Sequence, residues 1–350
     1  MDDLEKIKKF YKNQKILIIG STGFIGSWLS VALINLNAKV YGIGLKHKTN
    51  PNLFNSCRLE KKLIKNYFID IRNKKLLKKT IFKIKPKIIF HLAAETIVNE
   101  CVKNPIKAFE TNFMGTLNIL DVVNKLNYEK KIIIFTTDKV YKNSGKDKIY
   151  FNENSTLWGD DPYSASKVAT EQLVDSITGY YLKKTKVITI RAGNVIGGGD
   201  WSNFRIIPDI IKGWKNKTLI QIRNRNSIRP WQYILDVIFK TLFLTTIKRS
   251  NYSKYNIAPP KKNNIKVDKL ISLIKQKIKI KTKYIFFKNN EKKNLLLESK
   301  YKFKYYKKSE TSIEELLDHT IEWYKRDYKN FDNYLLCKAN ILAFMKKLKK

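Results

Sequence analysis

Tyr163 and Lys167, four residues apart, are the side chains in this sequence best placed for acid–base chemistry. On a helix this spacing puts both on one face, so that a phenol and an ammonium group share a site. The pKa of a free tyrosine is about 10, and a nearby fixed cation lowers it, which makes the phenolate usable as a base. The alternative is a surface pair on an ordinary helix, since this spacing is common.

Thr137-Asp138-Lys139 forms a second group of reactive side chains and follows an apolar run at residues 131–136. A short continuous apolar run is typical of a buried parallel strand. In an open α/β sheet, ligands bind at the carboxyl ends of the strands. We therefore expect this triplet to face a ligand.

A glycine-rich segment, Gly20-Ser21-Thr22-Gly23-Phe24-Ile25-Gly26, separates an apolar run at 15–20 from a helical pattern. Strand, glycine loop and helix form the context that dinucleotide binding requires. Gly20 permits the tight turn, Gly23 lets a pyrophosphate approach the backbone, and Gly26 allows close packing of helix and strand. The spacing is GxxGxxG rather than GxGxxG, and a purely structural turn is the alternative.

Further strands alternate with helices along the chain, and the alternation predicts an α/β fold with a doubly wound parallel sheet of the Rossmann type. These strands are predicted at 38–45, 66–71, 87–92 and 186–191, with a helix over 105–126. We predict a dinucleotide-binding domain at 12–195, a smaller, mainly substrate-binding α/β region at 196–331, and a basic amphipathic terminal helix at 332–350. Some elements of the second region are expected to return to the first domain.

The end of the second predicted strand carries no acidic residue to bind the ribose 2′-hydroxyl of NAD. Lys46, His47 and Lys48 follow it instead. These basic residues by themselves favour a 2′-phosphate, so local chemistry leaves the choice of cofactor open.

Two later segments have the composition of ligand-binding loops. Residues 192–201 hold three consecutive glycines and a tryptophan that we expect to be exposed, and the alternative is a flexible turn. Residues 223–231 hold three arginines, whose planar guanidinium groups bind phosphate through two hydrogen bonds at once. A solvated basic loop is the alternative for this second segment.

The chain has 350 residues and is 43% hydrophobic, which is the composition of a globular protein. Its formal net charge is +40. Such a charge attracts polyanions. The lysines are scattered, however, and no basic repeat or arginine-rich arm concentrates them. We therefore expect no nucleic-acid partner, whereas an anionic small substrate is compatible with the charge.

The cysteines and the N-terminus point to a reducing compartment. Cys57, Cys101 and Cys337 are odd in number and far apart in sequence, which argues against a disulfide framework. They form no ligand cluster with the histidines, so we expect no metal. The N-terminal residues include early acidic side chains and lack the apolar stretch of a signal peptide, and no apolar run reaches the length of a membrane span. We expect a cytoplasmic protein without membrane contact.

Taken together, these motifs resemble the extended short-chain dehydrogenase/reductase family over roughly residues 12–240. The general motifs are Gly20–Gly26, His91–Ala94, Asn112 with Gly115-Thr116, and Tyr163 with Lys167. Within the family the pattern is most similar to the CDP-glucose 4,6-dehydratases. Three stretches carry that closer resemblance: Thr137-Asp138-Lys139, Arg191–Trp201 and Ser227–Gln232.

The resemblance implies that NAD is the cofactor, that the substrate is a nucleotide-sugar and that the protein is a homo-oligomer. It assigns the catalytic roles to Thr137, Asp138, Lys139, Tyr163 and Lys167. It assigns cofactor binding to Gly20, Thr22, Gly23, Phe24, Ile25, Gly26, Asp70, Ile71, Leu92, Ala93, Ala94, Asn112, Tyr163 and Lys167. It assigns substrate binding to Asn194, Arg205, Arg223 and Arg229.

The implied reaction is a dehydration by internal hydride transfer. Tyr163 removes the proton of the sugar 4-hydroxyl, Asp138 protonates the departing 6-hydroxyl, and Lys139 takes the C5 proton if it is neutral. Asp138 then needs burial to raise its pKa, whereas the charge of Lys139 lowers it, so the division of labour stays open.

The sequence departs from the CDP-glucose 4,6-dehydratase pattern at two places. Glu95-Thr96 replaces Gln-Pro, and the loop at 199–205 is shortened. Either difference can indicate a related sugar substrate. Another NAD-dependent nucleotide-sugar dehydratase or 4-epimerase is therefore an alternative, and a non-catalytic dinucleotide-binding regulator that holds nucleic acid is a second.

Overall fold

The computed structural model describes residues 3–47, 49–145, 148–247, 252–285, 292–301, 303, 310–326 and 332–349. Its helices are α1 (Asp3–Tyr11), α2 (Phe24–Asn35), α3 (Leu53–Ser56), α4 (Leu59–Lys62), α5 (Lys74–Ile84), α6 (Val98–Lys103), α7 (Pro105–Phe109), α8 (Gly115–Asn124), α9 (Pro162–Ile177), α10 (Ile206–Lys215), α11 (Ile234–Thr246), α12 (Val267–Lys277), α13 (Ile313–Lys325) and α14 (Asn333–Lys349). A π-helical turn covers Glu110–Met114, and short 3₁₀ turns cover Asp138–Val140 and Lys261–Asn263.

The strands are β1 (Lys15–Ile19), β2 (Lys39–Gly44), β3 (Lys65–Phe68), β4 (Ile88–His91), β5 (Lys130–Phe135), β6 (Tyr150–Phe151), β7 (Thr185–Ala192), β8 (Asn194–Ile196), β9 (Ile220–Arg223), β10 (Ile228–Tyr233), β11 (Tyr252–Ile257), β12 (Asn264–Lys266), β13 (Thr282–Ile285) and β14 (Leu296–Leu297).

Seven strands form the main sheet in the order β11-β7-β5-β4-β1-β2-β3. Each neighbouring pair is parallel. The chain proceeds from β1 towards β3 in one direction and from β4 towards β11 in the other. This reversal between β1 and β4 opens a crevice at the carboxyl edge of the sheet, where ligands bind in this architecture. The predicted doubly wound parallel sheet is confirmed.

Both faces of the main sheet are covered by helices. Side chains alternate across a strand, so each strand contributes residues to a core on either face. From β1, Ile16 and Ile18 enter a core that includes residues of α2, α11 and α14. Leu17 and Ile19 enter a second core on the opposite face, with residues of α5 and α8. A strand covered on both faces must be apolar at every position, which explains the continuous apolar runs in the sequence.

Small sheets lie beyond the carboxyl edge of the main sheet. One has the order β12-β10-β8, and the pairs β9–β13 and β6–β14 are parallel two-stranded sheets. The described part of the region after residue 195 also supplies β11 to the main sheet, as the sequence prediction allowed. The predicted boundary at residue 331 lies outside the described residues.

The predicted terminal helix corresponds to α14, which buries one stripe of side chains in the first core. The members of that stripe are Leu336, Cys337, Ile341, Phe344 and Met345. Among the helices that the structure describes, none has the length and apolar character needed to cross a bilayer.

The structure differs from two local predictions. The helix predicted over 105–126 is interrupted by the π-helical turn at Glu110–Met114. Trp201, expected to be exposed, is instead 6% exposed and packs edge-on against Tyr324, with ring centroids 5.2 Å apart. A large indole favours burial because of the apolar area it removes from water.

Candidate active site

An open cleft of about 1520 Å³ lies at the carboxyl edge of the main sheet. With the exception of Asn112, every residue predicted to be catalytic, cofactor-binding or substrate-binding lines this cleft. Residues from distant parts of the chain therefore meet at the crevice that the strand order creates.

The glycine segment between β1 and α2 forms an open cradle on one wall of the cleft. Gly20 has a φ of +98°, and a Cβ there would lie 2.6 Å from the backbone nitrogen of Ala93. A Cβ on Gly26 would lie 2.1 Å from the Gly20 carbonyl oxygen. Gly23 is the N-cap of α2 and meets no such obstruction. The N-terminal amides of α2 thus face open space, which fits a pyrophosphate.

The other predicted cofactor-binding side chains follow the same wall. They are Thr22, Phe24, Ile25, Asp70, Ile71, Leu92, Ala93 and Ala94. The Asp70 carboxylate accepts hydrogen bonds from Arg72, of which the Nη2 contact is 2.8 Å. This hydrogen bonding lowers the pKa of Asp70. Lys46 and His47 line the cleft beyond β2, whereas Lys48 lies outside the described residues.

Asn112 lies behind the cleft wall and does not line the cleft. Its side chain accepts a hydrogen bond from the backbone of Glu95 at 2.8 Å and donates one to the Ser166 hydroxyl at 2.9 Å. It sits in the π-helical turn, whose altered hydrogen bonding turns this buried amide towards α9. These contacts join Asn112 to the segment after β4 and to α9, and its predicted role in cofactor binding stays a prediction.

Tyr163 and Lys167 lie on α9, which begins with a capping box at Asp161 and Ser164. Burial raises the pKa of Tyr163 to about 12, against a hydrogen bond with Thr137 that lowers it. Lys167 donates to the Phe135 carbonyl oxygen at 3.0 Å. Burial outweighs the hydrogen bond with Thr137, so the pKa of Tyr163 lies above its ordinary value in the protein without ligand. The lowering of that pKa by a nearby cation stays a prediction.

Lys167 is 5% exposed, and burial lowers its pKa to about 8. Glu171, one helical turn further on α9, opposes this shift. The ammonium group therefore lies closer to its neutral form than an ordinary lysine, although it remains mostly protonated at neutral pH.

Thr137-Asp138-Lys139 follows β5, as predicted, and starts a 3₁₀ turn. Burial raises the pKa of Asp138 to about 6, while the Lys139 ammonium and the Thr137 hydroxyl lower it. Thr137 Oγ1 donates to Asp138 Oδ1 at 3.2 Å. Asp138 Oδ2 is buried and has no hydrogen-bond partner among the described residues. The burial that an acid catalyst requires is thus present.

The predicted substrate-binding residues lie on the opposite part of the cleft. Arg229 is 4% exposed and donates to the carbonyl oxygens of Ile228 and Lys293, at 2.9 and 3.1 Å. Arg205 donates to Asp200 at 3.2 Å and to Thr96 at 3.3 Å. Arg223 contacts Asp209, with 3.8 Å between Nη2 and Oδ2, and Asn194 begins β8.

A buried polar network behind the site was not found from the sequence. Arg191 of β7 and Glu171 of α9 form an ion pair in which Arg191 Nε lies 2.8 Å from Glu171 Oε1. Thr136 donates to the same oxygen at 2.6 Å, and Arg191 donates to the Tyr141 hydroxyl at 2.9 Å. The spacing of Tyr163, Lys167 and Glu171 on α9, four residues each, is the signal that could have revealed it.

Two of the three cysteines come together although they are far apart in sequence. Cys57 and Cys337 are buried thiols that form no disulfide with each other, and their Sγ atoms lie 3.9 Å apart. In the part of the chain that the structure describes, no cluster of three or more histidine, cysteine or acidic side chains could hold a metal.

The sequence matches a family model described as GDP-mannose 4,6 dehydratase over residues 17–320. CDP-glucose 4,6-dehydratase of Salmonella typhimurium is 37% identical over 237 residues, which are 65% of this chain and 65% of that protein. dTDP-D-glucose 4,6-dehydratase of Dictyostelium discoideum is 36% identical over 241 residues, which are 64% of this chain and 54% of that protein. The matched region thus spans less than two thirds of either relative.

Solved structures share the fold at low sequence identity. A double mutant of dTDP-glucose 4,6-dehydratase from Streptomyces venezuelae, with NAD bound, has a TM-score of 0.77 and 18% identity, covering 91% of this chain and 99% of that one. UDP-glucose 4-epimerase from Thermotoga maritima has a TM-score of 0.76 and 21% identity, covering 89% of this chain and 98% of that one.

Proposed function

This chain belongs to the GDP-mannose 4,6 dehydratase family, and on that premise we propose that it is an NAD-dependent nucleotide-sugar 4,6-dehydratase that converts CDP-glucose to CDP-4-keto-6-deoxyglucose. Family membership supports a reaction on a nucleotide-sugar. The particular reaction and the cytidine base rest on the site residues and on the resemblance to the CDP-glucose enzyme.

The burial of Asp138 on the cleft beside Thr137 carries the proposal. Loss of the 6-hydroxyl requires an acid that protonates the leaving oxygen, whereas 4-epimerisation requires no such acid. With a pKa of about 6, roughly a tenth of Asp138 is protonated at pH 7. An ordinary aspartate is protonated about a hundred times less often at that pH.

Each catalytic side chain has one proton to hold or move. Tyr163 takes the proton of the sugar 4-hydroxyl, and Thr137, within hydrogen-bond reach of the Tyr163 phenol, orients that oxygen. The resulting 4-ketone acidifies C5–H, so that Lys139 can remove the C5 proton while Asp138 protonates the 6-hydroxyl. Water then leaves across C5–C6, and the proton held by Lys139 returns to C5 when C6 is reduced, which gives the 4-keto-6-deoxy product.

The open cradle at Gly20–Gly26 would hold the pyrophosphate of NAD, and Ala93 and Ala94 would leave room for the cofactor along the sheet edge. When bound, NAD would supply a reversible two-electron hydride acceptor for the sugar. Lys167, through its position on the same helical face as Tyr163, stabilises the phenolate once substrate and cofactor exclude water.

The choice of CDP-glucose is supported by Lys139. The CDP-glucose enzymes that this chain resembles carry lysine at this position, whereas most other nucleotide-sugar 4,6-dehydratases carry glutamate. The test is incubation of the purified protein with CDP-, dTDP-, UDP- and GDP-glucose, followed by the alkali-developed absorbance of a 4-keto-6-deoxy product. We expect CDP-glucose to react fastest. A 4-epimer without a keto product would instead establish an epimerase.

A non-catalytic regulator is the second candidate, and it makes a different prediction. Such a protein would give no product with any nucleotide-glucose and would be retained on nucleic acid in a salt-dependent manner. Lys139→Glu tests the enzyme: it should lower turnover of CDP-glucose but leave residual oxidation at C4, because Tyr163 and Lys167 are untouched.

A further inference from the structure

The segment from Gly197 to Arg205, which we call the 197–205 loop, begins against the helix that forms the phosphate cradle. The Trp28 indole of α2 donates to the Gly198 carbonyl oxygen at 2.9 Å. A Cβ on Gly197 would lie 3.3 Å from the ring of Phe24, the first residue of α2. The Tyr324 hydroxyl donates to the Asp200 carbonyl oxygen at 2.7 Å. The start of the loop is therefore firmly held beside the cradle.

The end of the loop is tied to the segment that follows β4 by one guanidinium group. Arg205 Nη1 donates to Asp200 Oδ2 at 3.2 Å, and Nη2 donates to Thr96 Oγ1 at 3.3 Å. Thr96 comes from the segment that follows β4, two residues after Ala94. The two places where the sequence departs from the CDP-glucose 4,6-dehydratase pattern thus contact each other through Arg205.

Six residues of the 197–205 loop line the cleft, namely Gly197, Asp200, Ser202, Asn203, Phe204 and Arg205. Burial lowers the pKa of His47, just beyond β2, and the Asp200 carboxylate opposes that shift. Among the charges that act on the Tyr163 phenol is the Arg205 cation. One end of the loop therefore lies near the strand end where a dinucleotide ribose binds, and the other lies near the catalytic tyrosine.

We propose that Thr96, Asp200 and Arg205 form a clasp that closes the cleft over bound dinucleotide and slows its release. The inference rests on the proposed function, in which the cofactor is regenerated in every turnover and has no need to leave. Phe204, which precedes Arg205, has a φ of +60° in the left-handed region. Such backbone strain next to the clasp is characteristic of loops that move at functional sites.

The contact between Arg205 and Thr96 is exposed, so it is weak enough to open. Replacing Thr96 removes the hydroxyl that accepts the hydrogen bond from Arg205, and it leaves the sequence of the 197–205 loop unchanged. The loop also has a hydrogen bond that does not cross the cleft, from Lys212 Nζ to Asn203 Oδ1 at 2.7 Å. Loss of that second bond perturbs the loop but leaves the clasp intact, which makes Lys212 a matched control.

The test is the dissociation rate of NAD from the holoenzyme, measured by stopped-flow displacement with excess unlabelled cofactor. We expect Thr96→Val to release NAD roughly three- to tenfold faster than wild type, the range that follows from the loss of one ordinary hydrogen bond. Thr96→Ser keeps the hydroxyl and should restore the wild-type rate. Lys212→Met should also match wild type.

Arg205→Lys provides a second variant if Thr96→Val fails to fold. An ammonium group cannot bridge two acceptors as a guanidinium does, so release should again be faster. Wild-type release rates in both folded variants would overturn the clasp while leaving the proposed function intact. A wild-type protein that binds no dinucleotide would overturn the proposed function and the clasp with it.

Discussion

Asp138 is mostly ionised at neutral pH, and this ionisation lowers the free energy of unfolding. The reason is that the carboxylate is buried and one of its oxygens has no hydrogen-bond partner among the described residues. Its folded pKa, about 6, exceeds the ordinary value of 3.8. Its favourable contribution to folding is therefore present below about pH 4 and is lost as the pH rises through 6. We expect Asp138→Asn to be more stable than wild type at pH 8 by up to ~3 kcal/mol, and to lack turnover.

Urea unfolding of both proteins at pH 8 and pH 4.5 checks this expectation, and the advantage of the variant should shrink at the lower pH. Asp70→Asn is the control with opposite sign, because hydrogen bonding to Arg72 lowers the pKa of Asp70. That variant should lose stability at pH 8. A pH-independent difference for Asp138→Asn would contradict the assigned pKa.

Arg229 has two roles at the residue scale, because its buried guanidinium holds two backbone carbonyls and lines the cleft. We expect Arg229→Ala to weaken substrate binding by about 2 kcal/mol or more, which would appear as a higher KM, and also to lower the melting temperature. Arg229→Lys should recover part of both losses, since a point charge cannot reproduce the planar fork. A lower melting temperature with an unchanged KM would place Arg229 in the scaffold alone.

At the scale of elements, the Glu171–Arg191 ion pair joins α9 to β7 and so fixes the helix that carries Tyr163. Both side chains are essentially fully buried. Removal of one member of a buried pair leaves an uncompensated charge and typically costs about 3–5 kcal/mol. We expect Glu171→Leu and Arg191→Met each to lower the free energy of unfolding by about that amount.

The double variant Glu171→Leu/Arg191→Met is the decisive comparison, since it removes both charges and leaves apolar side chains of similar size. Its loss in urea unfolding should be clearly smaller than the sum of the two single losses. Additive losses would show that the two charges act independently in this core.

At the scale of the whole molecule, the outer face of α6, α7 and the following turn exposes several large apolar side chains. Their exposed fractions are 54% for Val102, 71% for Ile106, 37% for Phe109 and 45% for Met114. Several exposed large apolar side chains on neighbouring elements of a chain with a net charge of +40 favour a protein partner over solvent. The expected homo-oligomer would use this surface to meet a second copy.

We expect Ile106→Glu to shift the protein towards the monomer in sedimentation velocity, because the charge would be buried in the contact. Ile64→Glu, at a position that is 59% exposed outside this surface, is the control and should leave the mass unchanged. An unchanged mass for both variants would place the interface elsewhere or show that the protein is monomeric.

The sequence by itself determined the glycine cradle and six of the seven strands of the main sheet, whereas β11 was not predicted. Strands buried on both faces must be continuously apolar, so β1, β4, β5 and β7 were visible as local patterns. Gly20 and Gly26 have a local reason as well, since each backbone position excludes a Cβ. The triplet at 137–139 was located for the same reason, because it directly follows one of these strands.

Tertiary structure alone decided the properties that depend on burial and on distant partners. Burial raises the pKa of Tyr163, and Trp201 is buried against a helix more than one hundred residues away in sequence. Asn112 turns towards Ser166 because a π-helical turn interrupts its helix. Thr96 and Arg205, 109 residues apart, meet across the cleft. Local patterns carry no information on such contacts, because their free energy depends on which surfaces the folded chain brings together.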